Sequence, residues 1–336
     1  MKFGPVPVDE AVGAILAHSH AVEGGILKKG AVLSAADAHR LAATGAKTVT
    51  VARLMPEDTH ENDAALALAR AIVADEDVQG LRVSGAGTGR VNLYATQPGV
   101  LDVSAQAIGL ANSIDPMISV ATLPQWQRVE PGMMVATIKI ISYAVPTHVL
   151  TDVCATATAA LSVRRAAFST VTLIETQTGT EPLGEKGRDA TALRLERLGL
   201  ALTPKTVCAH RAAAIAGALW KAKGDAILIL TASATSDPAD VGPAAVRAAG
   251  GQVTRFGMPV DPGNLLFLGD LKGKPVIGLP GCARSPALNG ADWVLERVLC
   301  GVPVTSQDIA DMGVGGLLKD IPTRPVPRRR IEQPPT

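Results

Sequence analysis

Aromatic side chains are nearly missing from this chain, with four Phe, three Trp and two Tyr among 336 residues. Its cores must therefore be aliphatic, and aromatic platforms for stacking single-stranded nucleic acid are excluded. An excess of either charge is missing too. Thirty-two Lys and Arg face 31 Asp and Glu, for a net charge of +1, so there is no global basic footprint for nucleic acid or a membrane surface. Cysteine is sparse: Cys154, Cys208, Cys282 and Cys300 are far apart and form no CxxC pair. That spacing argues for reduced thiols and against a structural zinc. No apolar run reaches the roughly 18 residues of a spanning helix. Met1-Lys2-Phe3-Gly4-Pro5 has no apolar segment of a secretory signal, so the expected location is cytoplasmic. The six His are scattered without an HExxH pattern, and no GxSxG elbow occurs. Gly85-Ala-Gly-Thr-Gly lacks the Lys-Ser/Thr ending of a phosphate-binding P-loop and reads as a bend between strands.

Aliphatic residues and glycine are abundant: 47% of the chain is hydrophobic and 33 residues are Gly. The length suits two domains and shows no internal repeat. Residues 1–150 read as a mixed α+β domain. Helices are expected over Val8–Ala17, Ala35–Ala43 and Glu61–Ala74, the last capped by Thr59. A β-rich stretch over 80–144 holds short β-branched runs, one helix near Ser104–Leu110 and a turn at Pro131-Gly132. Residues 151–320 change rhythm. Strands at Val171–Glu175, Ala226–Thr231 and Gln252–Phe256 alternate with helices at Ala190–Leu198, Ala209–Lys223, Pro238–Ala249 and Pro286–Leu299. Leu265–Leu268 and Val276–Leu279 form a hairpin around Lys272-Gly273-Lys274. This alternation predicts a three-layer α/β domain on a mostly parallel sheet. Residues 321–336, rich in Pro and Arg, read as a tail or linker.

Parallel sheets bind ligands beyond the C-terminal ends of their strands, and three loops fall there. Thr231-Ala-Ser-Ala-Thr-Ser-Asp-Pro offers the hydroxyls of Thr231, Ser233 and Thr235. It is followed by a helix start with Asp237 as cap and Pro238 in first position, a combination suited to an anion such as phosphate. Leu279-Pro-Gly-Cys-Ala-Arg-Ser-Pro repeats the logic: Gly281 permits a tight turn, Arg284 can pair with phosphate, and Ser285 caps a helix opened by Pro286. Gly184-Glu-Lys-Gly-Arg-Asp sets Lys186 and Arg188 ahead of a helix capped by Asp189. Each loop, taken alone, is equally an ordinary capped connection. Asp237, Asp240 and Asp261 lie at the same edge and can hold a divalent cation such as Mg2+, cap a helix or close a turn.

The run from Ala226 to Gly301 resembles the molybdopterin-binding domain of the molybdotransferases of molybdenum-cofactor synthesis (the MoeA and gephyrin group) and their smaller MogA-like relatives. There an apolar strand ends in Thr-Gly-Gly-x-Ser-x-Gly-x-x-Asp. Here Thr231 and Asp240 match, Thr235 replaces Ser, and Ala232 and Ser233 stand where the glycines belong. Of the family's Pro-Gly-Lys-Pro turn, Pro262 and Gly263 match and Asn264 replaces Lys. Of its Leu-Pro-Gly-Asn-Pro-x-Ser, Leu279, Pro280, Gly281 and Ser285 match, with Cys282 and Ala283 departing. A helix and Leu-Cys-Gly follow in the same order.

The resemblance implies binding of molybdopterin, or of its adenylylated or molybdenum-loaded form, within molybdenum-cofactor biosynthesis. Phosphate would lie on Thr231, Ser233, Thr235, Asp237, Gly263, Gly281 and Ser285, with Lys186, Arg188 and Arg284 supplying charge. If the chain is an enzyme, it implies a molybdotransferase-like transferase with Asp240 as the catalytic acid residue toward the metal end. Other partners implied are a cofactor nucleotidyltransferase or a molybdoenzyme, and a second copy in a homodimer. Nucleic acid and membrane are not among them. The alternatives are a non-enzymatic scaffold or regulatory module that has kept the fold, and a nucleotide pyrophosphatase on the same fold.

Overall fold

The computed structural model describes residues 1–318; the Pro/Arg-rich stretch 321–336 lies outside the described residues. The chain forms two compact units, one of residues 1–97 and 101–164, the other of 98–100 and 165 onward. No described helix is long and apolar enough to cross a membrane.

The first unit is built from short elements. They run β1 (Lys2–Pro7), β2 (Ile15–Leu16), β3 (His20–Val22), β4 (Gly25–Leu27), α1 (Ala35–Ala43), β5 (Thr48–Arg53), β6 (Asp58–His60), α2 (Glu61–Ile72), α3 (Glu76–Gln79) and β7 (Leu81–Val83). There follow β8 (Arg90–Ala95), β9 (Gly99–Val103), α4 (Ala105–Ile114), β10 (Ile118–Thr122), β11 (Arg128–Val129), β12 (Met134–Ile140), β13 (Ala144–Pro146), α5 (Thr147–Thr156) and β14 (Leu161–Arg164). The antiparallel sheet β10-β12-β8-β7 packs Val91, Leu93, Ile138 and Ile140 against Ala65, Leu68 and Ile72 of α2, an aliphatic core as the composition requires.

Two expectations for this unit are corrected. Val8–Ala17 is not a helix: a 3-10 turn covers Val8–Glu10, and Ile15–Leu16 pair with β5 instead. Gly13 at φ +79 stops helical propagation between them. The cap of α2 is His60, whose Nδ1 accepts from the Asn62 N–H at 3.3 Å, while the Thr59 hydroxyl is shared with Thr147. Helix α5 runs through residues 150 and 151, where the change of rhythm suggests a division. It packs on α2 and α4, and the units separate after β14.

The second unit comprises β15 (Thr170–Gln177), α6 (Lys186–Glu196), β16 (Ala201–Leu202), β17 (Thr206–Ala209), α7 (Ala212–Lys221), β18 (Ala226–Leu230) and α8 (Val241–Ala248). It continues with β19 (Gln252–Phe256), β20 (Phe267–Leu271), β21 (Lys274–Leu279), α9 (Gly290–Leu299) and α10 (Ser306–Asp311). Its sheet runs β16-β15-β18-β21-β20-β19, with β17 also on β15. The pairs of β15 with β16, β17 and β18, and of β18 with β21, are parallel; β19, β20 and β21 pair antiparallel. Helices α7 and α8 cover one face over Ile174, Ile227, Ile229 and Val276. On the other face α6 is fastened to α9 by the buried ion pair Arg194–Asp292. The unit is thus of the α/β class, with four parallel and two antiparallel strand pairs in its sheet.

Several helix starts shift. For α8 and α9 the side chain that takes up the free N–H groups of the helix start lies a few residues from the expected one, whereas α6 starts without a side-chain cap. Helix α6 starts at Lys186, not after Asp189. Helix α8 is capped by Asp240, not Asp237, so Pro238 is not its first residue. Helix α9 is capped by Asn289 in a reciprocal box with Asp292, not by Ser285, and Pro286 precedes it. Gly281–Arg284 form a 3-10 turn in place of the tight glycine turn.

Candidate functional site

The C-terminal ends of β15, β18 and β21 bring three sequence-predicted loops to one edge. Arg284, from the loop after β21, donates Nη2 to the Thr231 carbonyl after β18 at 2.5 Å. A Cβ on Gly187 of α6 would lie 2.7 Å from Leu230 Cδ2, 3.4 Å from Arg284 Cγ and 3.6 Å from Glu175 Oε1. Glycine at 187 therefore lets the first turn of α6 press onto the ends of β15 and β18. The N-terminus of an 11-residue helix, with its partial positive charge, faces the loops that carry Thr231 and Arg284.

The hydroxyl-rich loop is ordered largely by itself. Thr231 and Thr235 are buried; Thr231 Oγ1 donates to the Ser233 carbonyl at 2.6 Å and lies 3.3 Å from Thr235 Oγ1. The Ala232 N–H donates to Thr176 Oγ1 at 2.7 Å, and Thr176 Oγ1 shares a hydrogen bond with His210 Nδ1, 2.9 Å away. Asp237 Oδ1 accepts from Ala239 N–H at 2.7 Å in a local turn. Asp240 Oδ1 accepts from Val241 N–H at 2.7 Å and its Oδ2 from Ser236 N–H at 3.1 Å. Both oxygens of Asp240 are thus engaged in shaping the loop. Ser285 Oγ accepts from Ala287 N–H at 3.3 Å.

Gly263 has another use. Its φ is +139°, and a Cβ there would come within 2.7 Å of Gly290 N, so it permits close approach to the start of α9. Asp261 belongs to that packing as well, bridged through its backbone to Gly316 and Leu318. Among the described residues no group of three or more His, Cys, Asp or Glu is placed to hold a metal ion.

The cations do converge. Lys186 is exposed in the first turn of α6. Arg188 donates Nη2 to the Thr203 carbonyl at 2.7 Å. Lys205, just before β17, pairs with Glu185 at 2.5 Å. Lys205, Arg188 and Arg284 all act electrostatically on Glu175, at the end of β15. Burial pushes the Glu175 carboxyl above its ordinary value; those three cations oppose the shift and Glu185 adds to it.

Glu175, Thr176, Lys205 and Arg194 escape a search confined to loops after strands. Two of them leave a signal. Glu175 is the one carboxylate in the apolar run Val171–Thr176 of a strand covered on both faces. Arg194 falls in line with Ala190, Thr191, Leu195 and Leu198 at helical spacing, hence on the buried face of α6. From there its Nη1 and Nη2 donate to the carbonyls of Ala283 at 2.9 Å and Ser285 at 2.8 Å, which holds the Arg284 loop in place.

A family model described as Domain of unknown function (DUF8806) matches residues 5–53. No curated protein matches the chain. Among solved structures the chain is similar to a molybdopterin biosynthesis MoeA protein from Pyrococcus horikoshii, at 16% identity and a TM-score of 0.29, covering 92% of this chain and 75% of that one. It is also similar to a molybdenum cofactor biosynthesis protein from Pyrococcus furiosus, at 13% identity and a TM-score of 0.24, covering 90% and 66%. A further Pyrococcus horikoshii MoeA structure gives 12% identity and a TM-score of 0.21 over 82% and 69%. None of these matches assigns the chain to a family.

Proposed function

We propose that this chain binds a phosphorylated pterin of the molybdopterin type, in molybdenum-cofactor biosynthesis, at the C-terminal edge of β15, β18 and β21. The observation that carries the reading is the junction of the loops: Arg284 on the Thr231 carbonyl, with the cationic first turn of α6 against both. The order of motifs from Ala226 to Gly301 supports it independently. Phosphate would be held by Lys186 and the free face of Arg284 with backbone donors of the Ser233–Thr235 loop. Asp240 serves this site as a cap that sets the loop, rather than as an acid directed at a metal. Molybdate insertion, hand-over to a nucleotidyltransferase and dimerisation belong to the same reading as further steps.

Calorimetric titration with molybdopterin released from a molybdoenzyme tests the proposal. Lys186→Ala removes one exposed cation without disturbing a cap and is expected to weaken binding about tenfold, or about 1.4 kcal/mol. Arg284→Ala is expected to weaken it further, because it also releases Thr231. A parent protein that takes up no pterin removes the proposal.

A second reading is favoured by one observation. The hydroxyls and carboxylates of Thr231, Asp237, Asp240 and Ser285 are already engaged within the protein. A module that keeps the fold as a scaffold, with no ligand, would look the same at those atoms. The titration separates the two.

A further inference from the structure

Two buried polar atoms at this edge have nothing to bind. Glu175 Oε2 and Arg188 Nη1 are fully buried without a hydrogen-bond partner among the described residues. Glu175 as a whole is 4% exposed, and no hydrogen bond or ion pair engages its carboxyl within the described chain. Buried charged or polar groups in folded proteins are almost always paired, because an unmet donor or acceptor forfeits its hydration with no return. These two orphans are of opposite kind, an acceptor and a donor. Arg188 also acts electrostatically on Glu175, lowering its carboxyl. Glu175 Oε1 lies 3.6 Å from where a Cβ of Gly187 would be, and Arg188 is the next residue. Lys205, Arg188 and Glu185, the first two lowering and the third raising the Glu175 carboxyl, face it from α6 and the approach to β17, and Arg284 faces it from the loop after β21.

We infer that Glu175 and Arg188 read the heterocycle of the ligand, the carboxylate accepting from the N–H and amino groups of a 2-amino lactam edge and Arg188 donating to its carbonyl. This rests on the ligand-binding reading above and adds to it which end of the ligand lies where: the ring at the end of β15, the phosphate outward toward Lys186. A 2-amino lactam presents two donors beside one acceptor, the complement of a carboxylate beside a guanidinium. Pterins and guanines share that edge; lumazine, with oxygen in place of the 2-amino group, and adenine do not. A site built to hydrogen-bond one edge rejects an analogue lacking it strongly, since its own buried groups are left unpaired.

The test is a set of titrations of the full chain with 6-hydroxymethylpterin, lumazine, GMP, AMP and inorganic phosphate, for the parent, Glu175→Gln and Arg188→Ala. The parent is expected to prefer 6-hydroxymethylpterin to lumazine and GMP to AMP. Glu175→Gln keeps the shape but offers one acceptor and one donor, so the preference should invert toward lumazine by about tenfold in affinity ratio, with phosphate binding kept or strengthened, since the negative charge removed acts on Arg284. Arg188→Ala should weaken pterin and lumazine alike. Pterin affinity of the parent should fall as pH drops through the raised Glu175 pKa, because only the carboxylate accepts both donors, and Glu175→Gln should lose that dependence. A preference for GMP over 6-hydroxymethylpterin would support the edge-reading pair while overturning the pterin assignment. Phosphate binding without any ring preference, or with one that Glu175→Gln leaves untouched in a folded variant, overturns this inference and spares the phosphate edge. No binding of ring or phosphate by the parent removes the ligand reading itself.

Discussion

Arg194 offers the sharpest test of how the site is held. Its guanidinium, 7% exposed, donates Nε to Asp292 and its other nitrogens to the carbonyls of Ala190 at 3.0 Å, Ala283 at 2.9 Å, Ser285 at 2.8 Å and Ala287 at 3.2 Å. Arg194→Met keeps the bulk of the stem and removes every donor. Asp292, 6% exposed, is then left with the Asn289 N–H on Oδ2 and no counter-charge. Breaking one side of a buried pair costs about 3–5 kcal/mol, and a domain of this size has only about 5–15 kcal/mol to lose. Urea denaturation of the parent, Arg194→Met, Asp292→Asn and the double variant measures this. The double variant should recover part of the loss, with a coupling of about 1–3 kcal/mol. A loss below about 1 kcal/mol in Arg194→Met would refute the reasoning, since it would mean that the carbonyls and Asp292 find water or other partners at little cost.

Three further outcomes follow from the geometry. Gly263→Ala should lose about 2–4 kcal/mol, since φ +139° strains any side chain and the new Cβ meets the backbone of Gly290, which cannot move aside; a thermal melt within a degree of the parent contradicts this. The Cys300 thiol is pushed up to about 12 by burial, with Glu296 adding and a hydrogen bond at Val100 opposing. It should therefore resist iodoacetamide at pH 8 in the folded protein, and prompt labelling found by mass spectrometry would contradict that. Asp225 is held below its ordinary value first by the Thr170 and Ser169 backbone N–H groups. A depressed carboxylate contributes stability above its unfolded pKa and loses it as pH falls through the folded one. Asp225→Asn should therefore flatten the acid limb of stability measured below about pH 4, and an unchanged limb would contradict the assignment.

The fold of the second unit was largely legible because its signals are local. Ala226–Leu230 is a wholly apolar run of strand length, and Lys272-Gly273 marks a turn that two flanking strands close. Caps were less legible. Asp237, Asp240, Ser285 and Asn289 are all competent cap residues, and which one serves depends on where tertiary packing starts the helix, a decision not written in the neighbouring residues. The short helix expected at Val8–Ala17 failed for a related reason: Val8, Val12, Ile15 and Leu16 satisfy a helical period, but pairing of Ile15–Leu16 with Thr48–Arg53 wins. At the site, loops after strands were findable from the alternation of elements. The side chains beneath them were not, because Glu175 and Arg194 act from inside a strand and a helix, where an apolar neighbourhood hides a charged residue from a search for exposed motifs.

The location of the ligand is tested most directly by hydrogen exchange of the full chain with and without molybdopterin. Protection confined to the Thr231–Asp237 and Gly281–Ser285 loops and the first turn of α6 is the expected result. Protection elsewhere, or none at saturating ligand, would contradict the assignment of this sheet edge as the binding site.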